Sequence, residues 1–156
     1  MIDTTELVKE IQEMREDGFL SDALVRFAVR ALQESDERFD WVGAYFFNEK
    51  DNELWLHNYL GPRTEVAKIQ PGEGVAGVAA AEKANKNVEH IEDIEDYEPP
   101  GPNTSSELAV VIRAGDDLFG VIDLSSMEPE AFSADDETAI SLVAEKLAEQ
   151  FMAERR

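Results

Sequence analysis

Two strand-like runs in this chain each carry one carboxylate among apolar residues. They are Glu107-Leu108-Ala109-Val110-Val111-Ile112-Arg113 and Leu118-Phe119-Gly120-Val121-Ile122-Asp123-Leu124-Ser125-Ser126. Taking an ionised acid out of water costs several kcal/mol unless a partner or a proton compensates. Two carboxyls held close in a shielded site raise a pKa, share a proton or bind a cation. The ammonium group of a small ligand would satisfy them, as would a proton shared with a polar oxygen. Whether the acids meet depends on the connection between the strands. An odd number of residues there puts both on one face, and a two-residue turn puts them on opposite faces. Strand alternation places Asp123 with Phe119, Val121 and Ser125. The plainer alternative leaves Glu107 in solvent at a strand end and has Asp123 accepting backbone hydrogen bonds.

A second group lies upstream. Alternation puts Trp41, Gly43 and Tyr45 on one face of their strand, and a glycine between two aromatics leaves room for a cavity wall. Ordinary core packing explains the same pattern. Gly72-Glu73-Gly74-Val75-Ala76-Gly77 matches G-x-G-x-x-G. Two helices and a hairpin precede it, and Glu73 would face the pyrophosphate, so a tight turn into a closely packed helix is the better reading. His57 and His90 lack metal-ligand spacing. The acids Glu92, Asp93, Glu95, Asp96 and Glu98 lack the glycine of a calcium loop and read as a solvated segment. No metal site and no cofactor are expected. No Gly-x-Ser-x-Gly occurs, and the serines have no evident histidine partner.

These groups need elements to hold them. Residues 4–16 and 20–35 show helical spacing, with Asp17-Gly18 as a break between them. Trp41–Phe47 and Leu54–Leu60 read as a hairpin around Asn48–Asn52. Short strands are expected near Val66–Ile69 and Val88–Ile91, with a small-residue helix over Val75–Lys83 between them. Glu92–Thr104, with three prolines, reads as a loop. The two acid-bearing strands follow, joined at Ala114–Asp117. Ser133 then caps a last helix with Ile140, Val143, Ala144, Leu147 and Phe151 on one stripe. Hairpins and not crossovers join most strands, which predicts an α+β fold with an antiparallel sheet. The terminal helices cover one face, and a pocket belongs on the other.

The chain has 156 residues, 43% of them hydrophobic, and reads as one domain over 1–156. Its 35 acids against 14 bases give a net charge of −21. Such a surface repels nucleic acid and anionic lipid, so neither is an expected partner. The acids are spread through every segment, a pattern that suits a halophilic protein kept hydrated in concentrated salt. Neither a secretory signal nor a membrane span is visible, and a cytoplasmic location is expected. The chain has no cysteine. Disulfides, thiolate metal sites and thiol nucleophiles are therefore excluded.

Asp40-Trp41-Val42-Gly43-Ala44-Tyr45-Phe46, Leu60-Gly61-Pro62, Pro71–Gly77, Ser106-Glu107 and Gly120-Val121-Ile122-Asp123 together resemble the GAF-domain free methionine-(R)-sulfoxide reductases, over roughly residues 20–150. The resemblance implies a GAF fold, with terminal helices on one face of a central sheet and a small-molecule pocket on the other. It implies that Trp41 and Tyr45 line the pocket and that Glu107 and Asp123 hold the ligand. Ser125 stands where many relatives carry a further acid. The family's two cysteines would fall at Ala76 and near Pro100. Sulfoxide reduction of that type needs an attacking thiolate and a resolving thiol, and neither exists here. The expectation is a non-catalytic binding or sensor domain for an amino-acid-like or cationic ligand. Two alternatives stand beside it. One is an interaction module that dimerises through its terminal helices, residues 1–19 included, over a vestigial pocket. The other is an acid–base enzyme using Glu107 and Asp123.

Overall fold

The computed structural model describes residues 2–155. In chain order the elements are α1 (Thr5–Glu16), α2 (Ser21–Ser35), β1 (Trp41–Asn48), β2 (Glu53–Leu60), β3 (Lys68–Ile69), α3 (Gly74–Glu82), β4 (Lys86–Val88), β5 (Ser106–Ala114), β6 (Asp117–Ser126) and α4 (Ala134–Glu154). A short 3-10 turn, Ile91–Asp93, follows β4. The six strands form one sheet in the order β3-β2-β1-β6-β5-β4, with every neighbouring pair antiparallel.

Local chemistry sets the helix ends. After α1, Gly18 takes a positive φ of 93°. Its N–H donates to Arg15 O while that of Phe19 donates to Met14 O, which satisfies the last carbonyls of the helix. At α4, Ser133 Oγ accepts from Asp136 N and Asp136 Oδ2 accepts from Ser133 N, a reciprocal capping box.

The helical stripes fall where periodicity puts them except at Leu20, which precedes α2 and is exposed. Ile11, Leu24, Leu32, Ile140, Val143 and Leu147 pack from α1, α2 and α4 onto Val42, Ala44, Leu108, Val110, Ile122 and Leu124. The opposite residues of the same strands form a second core. There Trp41, Tyr45, Ala109, Val111 and Val121 meet Val75, Ala76, Ala79 and Ala80 of α3. Small side chains let this helix lie close to the sheet.

The β5–β6 hairpin departs from the simplest expectation. Ala114 pairs with Asp117, so the turn contains only Gly115 and Asp116, with Gly115 at φ 58°. That turn alone would send the two acids to opposite faces. The ladder then slips: Arg113 pairs with Leu118 and Ile112 with Gly120, leaving Phe119 as an extra, bulged residue. Beyond the bulge Glu107 lies opposite Ser125 and Asp123 opposite Ala109, a diagonal pair on one face. Phe119 itself does not share that face, contrary to simple alternation. It joins the helix-side core and stacks on Phe151 at 5.2 Å.

Two short strands are also smaller than expected. Pairing in β3 reaches only Lys68 and Ile69, so Val66 lies outside it. The expected strand at Val88–Ile91 is displaced: β4 ends at Val88 and Ile91 opens the 3-10 turn. Among the described residues no helix is long and apolar enough to cross a membrane.

Candidate functional site

Three central strands bring the candidate residues together. Trp41 lies opposite Ser125, Gly43 opposite Asp123 and Tyr45 opposite Val121. On the other side of β6, Glu107 lies opposite Ser125. Trp41, Tyr45, Glu107, Asp123 and Ser125 are all buried, and both acids are 0% exposed. The solvated alternative for Glu107 is therefore overturned. The room expected beside Gly43 is filled by Trp41 itself: a Cβ on Gly43 would lie 2.4 Å from the indole Cη2. The indole also stacks on Tyr59 at 5.5 Å. Tyr45 is fixed from its far end, its hydroxyl donating to Val66 O at 2.7 Å.

Polar pairing on this face is incomplete. Tyr97 Oη donates to Glu107 Oε1 at 2.7 Å. Six buried side-chain N or O atoms among the described residues lack a hydrogen-bond partner. Five of these belong here: Trp41 Nε1, Glu107 Oε2, both Asp123 oxygens and Ser125 Oγ. Each unmet buried group costs about 1–3 kcal/mol, while a domain's whole stability is about 5–15 kcal/mol. The four residues that carry these atoms sit at paired or diagonal positions of β1, β5 and β6, and a proton shared between Glu107 and Asp123 offsets part of the cost. Unpaired buried groups of this kind mark a place that water, an ion or a ligand completes.

Protonation relieves part of the strain. Burial pushes Asp123 well above the ordinary carboxylate range, and the adjacent Glu107 carboxyl pushes the same way. Burial also raises Glu107, with Asp123 and the Tyr97 hydroxyl working against it. The two acids titrate as a pair. Burial and the same two acids raise Tyr45 and Tyr97, so both phenols stay neutral.

A cavity of about 360 Å³ is lined by Val66, Ile69, Gly74, Ala76, Tyr97 and Pro100 among others. It shares Tyr97 with the pair, but none of Trp41, Tyr45, Glu107, Asp123 and Ser125 lines it, contrary to expectation. Ala76 and Pro100, the positions matched to the family's cysteines, thus line one cavity. The segment 94–105 covers the site and is not merely solvated: Pro100 and Gly101 are buried, and a Cβ on Gly101 would meet Trp41 Cβ at 2.9 Å. Sequence reasoning missed Tyr97. An aromatic alone within an acidic, proline-rich stretch was the available signal, and the surrounding charge masked it.

The histidines lie elsewhere. His57 pairs with Asp22 and stacks on Phe46. His90 sits at the surface with Glu89 and Glu130, their ligand atoms within 4.8 Å of one another. Glu130 is forty residues away in sequence, at the β6–α4 connection, so no local spacing could reveal this grouping.

The family model of the GAF domain matches residues 21–149. The chain is similar to Protein YtsP of Bacillus subtilis (strain 168), with 33% identity over 141 residues, covering 90% of this chain and 86% of that protein. It is also similar to a solved type II free methionine-R-sulfoxide reductase from Thermoplasma acidophilum. That match has a TM-score of 0.77 and 27% identity, covering 85% of this chain and 92% of the other. The free methionine-R-sulfoxide reductase from Neisseria meningitidis, solved with its substrate, matches with a TM-score of 0.85 and 26% identity. It covers 95% of this chain and 87% of that one.

Proposed function

The chain belongs to the GAF domain family, and from that premise we propose that it binds an amino-acid-like or cationic small molecule without converting it. GAF domains are generally small-molecule binding or sensor domains. Trp41 and Tyr45 form the apolar wall, Glu107 and Asp123 take the ligand's cationic group, and Ser125 and Trp41 Nε1 supply a donor or acceptor each. One observation carries this reading: the five orphaned polar atoms on a single buried face. An ammonium group brings three donors and no acceptor, which suits two carboxyls that have only the Tyr97 hydroxyl and each other as partners. Trp41 Nε1–H, a donor, suits an anionic or polar oxygen at the ligand's other end.

The reductases' thiol step has no residue to run on, because no cysteine is present. Neither Ala76 nor Pro100 carries a nucleophile. Retaining the acids while lacking the thiols leaves recognition without sulfur chemistry.

The test is thermal unfolding in molar salt against free amino acids and their sulfoxides. A ligand at a hundred times its Kd stabilises by about 2.7 kcal/mol, which raises the Tm of a domain this size by about 5–10 °C. That response is expected for an amine-bearing compound and should disappear in Glu107→Gln and Asp123→Asn. Absence of any shift across the set contradicts binding. Turnover of methionine sulfoxide with a thiol reductant contradicts the non-catalytic assignment.

A further inference from the structure

Tyr97 stands between the buried acids and the outside. Its hydroxyl donates to Glu107 Oε1 at 2.7 Å, on a pair whose other oxygens find no partner outside the pair. Its ring rests against the first residue of α3: a Cβ on Gly74 would lie 2.5 Å from Tyr97 Cε1. The ring is also a wall shared by two cavities. One is the 360 Å³ space that includes Ala76 and Pro100. The other, about 480 Å³, includes Ile91, Gly101 and Thr104. Neither cavity is lined by Glu107 or Asp123, so the acids are closed off while the tyrosine is in place.

The segment that carries Tyr97 belongs to no helix or strand between Ile94 and Ser105. It is pinned at its base, where Ile91 N donates to Ser105 O at 2.9 Å, and within itself by a Thr104 to Gly101 hydrogen bond. Segments of this kind open at lower free energy than paired strands.

We propose that Tyr97 is the gate and the specificity filter of the carboxyl pair: its hydroxyl holds the place on Glu107 that a ligand's N–H takes, and its ring must leave for the ligand to enter. The filter follows from donor count. A phenol offers one hydrogen and serves one carboxyl oxygen, whereas an ammonium offers three and serves both acids together. A ligand with a single donor merely repeats what Tyr97 already supplies within the chain, without the entropic cost of association. A primary amine gains further bonds and displaces the ring. The amine's substituent then occupies the 360 Å³ space beside Ala76 and Pro100. This inference rests on the reading of Glu107 and Asp123 as a ligand's seat, but its test does not need the ligand.

Carboxyl footprinting provides that test. The full chain is treated in molar salt with a diazoacetamide, which esterifies carboxyl groups with loss of nitrogen and no amine present, and labelling rates are read for each residue by peptide mass mapping. Asp136, 0% exposed and held in the capping box of α4, is the internal control. Glu107 is expected to label as slowly as Asp136 in the native protein. It should label at least about tenfold faster in Tyr97→Ala and about threefold faster in Tyr97→Phe, which keeps the ring but frees the tether, with Asp136 unchanged. Equal Glu107 rates in all three proteins overturn the proposal. If Tyr97→Ala also exposes Asp136, its fold has opened, and Tyr97→Phe decides alone: a native rate there overturns the gate. Faster labelling with no amine raising the Tm keeps the gate and removes the ligand reading. A Tm raised by an amine with equal labelling rates does the reverse.

Discussion

Folding and the proposed binding make opposite demands on Asp123. Its carboxyl is fully buried with the Glu107 carboxyl as its hydrogen-bond partner, so the fold favours its neutral form and raises its pKa. An acid whose pKa rises on folding stabilises most below its unfolded pKa. That contribution is lost as pH climbs through the raised folded value. The ordinary value is 3.8, so this part of the stability should decline upward from about pH 4. Glu107 adds a contribution of the same sign, since burial raises it too. Asp123→Asn removes the ionisable group but keeps the shape. The variant is expected to gain on the order of 1 kcal/mol at neutral pH, with the gain widening as pH rises, while the affinity for an amine falls at least about tenfold. Denaturant melts of both proteins across pH check the first part, and titration calorimetry the second. A variant less stable than the native chain at neutral pH would show that Asp123 is a structural acid.

At the scale of elements, the bulge in β6 decides whether a site exists. Without the extra residue at Phe119, the two-residue turn would place Glu107 and Asp123 on opposite faces. Phe119 packs instead with Phe151 on the helix side. Phe119→Ala is therefore expected to cost about 3–5 kcal/mol yet leave ligand affinity within a factor of about two. A loss of affinity with intact fold would return Phe119 to the ligand face. The helices and their buried stripes were legible from the 3.6-residue spacing of residues such as Leu24, Leu32, Ile140 and Leu147. The buried face of β1 that carries Trp41 and Tyr45 was legible from alternation. The bulge was not, because alternation continued through Phe119 reads equally well. Gly120, isolated within a strand, was its one local sign. The cover over the site was harder still. Residues 94–105 have no period to read, and the contact that matters, Tyr97 to Glu107, spans two elements that only the fold brings together.

For the whole molecule, the net charge of −21 presses on the fold from every side. Arg38 anchors Asp36 and reaches the cap of α4 at Asp136, but among the described residues ion pairs are few beside the 35 acids. At about 1 M salt the Debye length falls to about 3 Å, which screens that repulsion. Circular dichroism melts are expected to show a higher Tm in molar KCl than in dilute buffer, and salt-independent unfolding would argue against a halophilic surface. The same charge bears on function. An acidic shell draws small cations toward the protein and repels anions, in keeping with a buried seat for an amine. The most direct measurement is native mass spectrometry of the protein as purified from its own host, beside the Glu107→Gln, Asp123→Asn double variant. The expected result is a small amine-bearing molecule retained by the native chain and missing from the variant. An empty native chain, whose melting no amine raises, would contradict a ligand at these two acids.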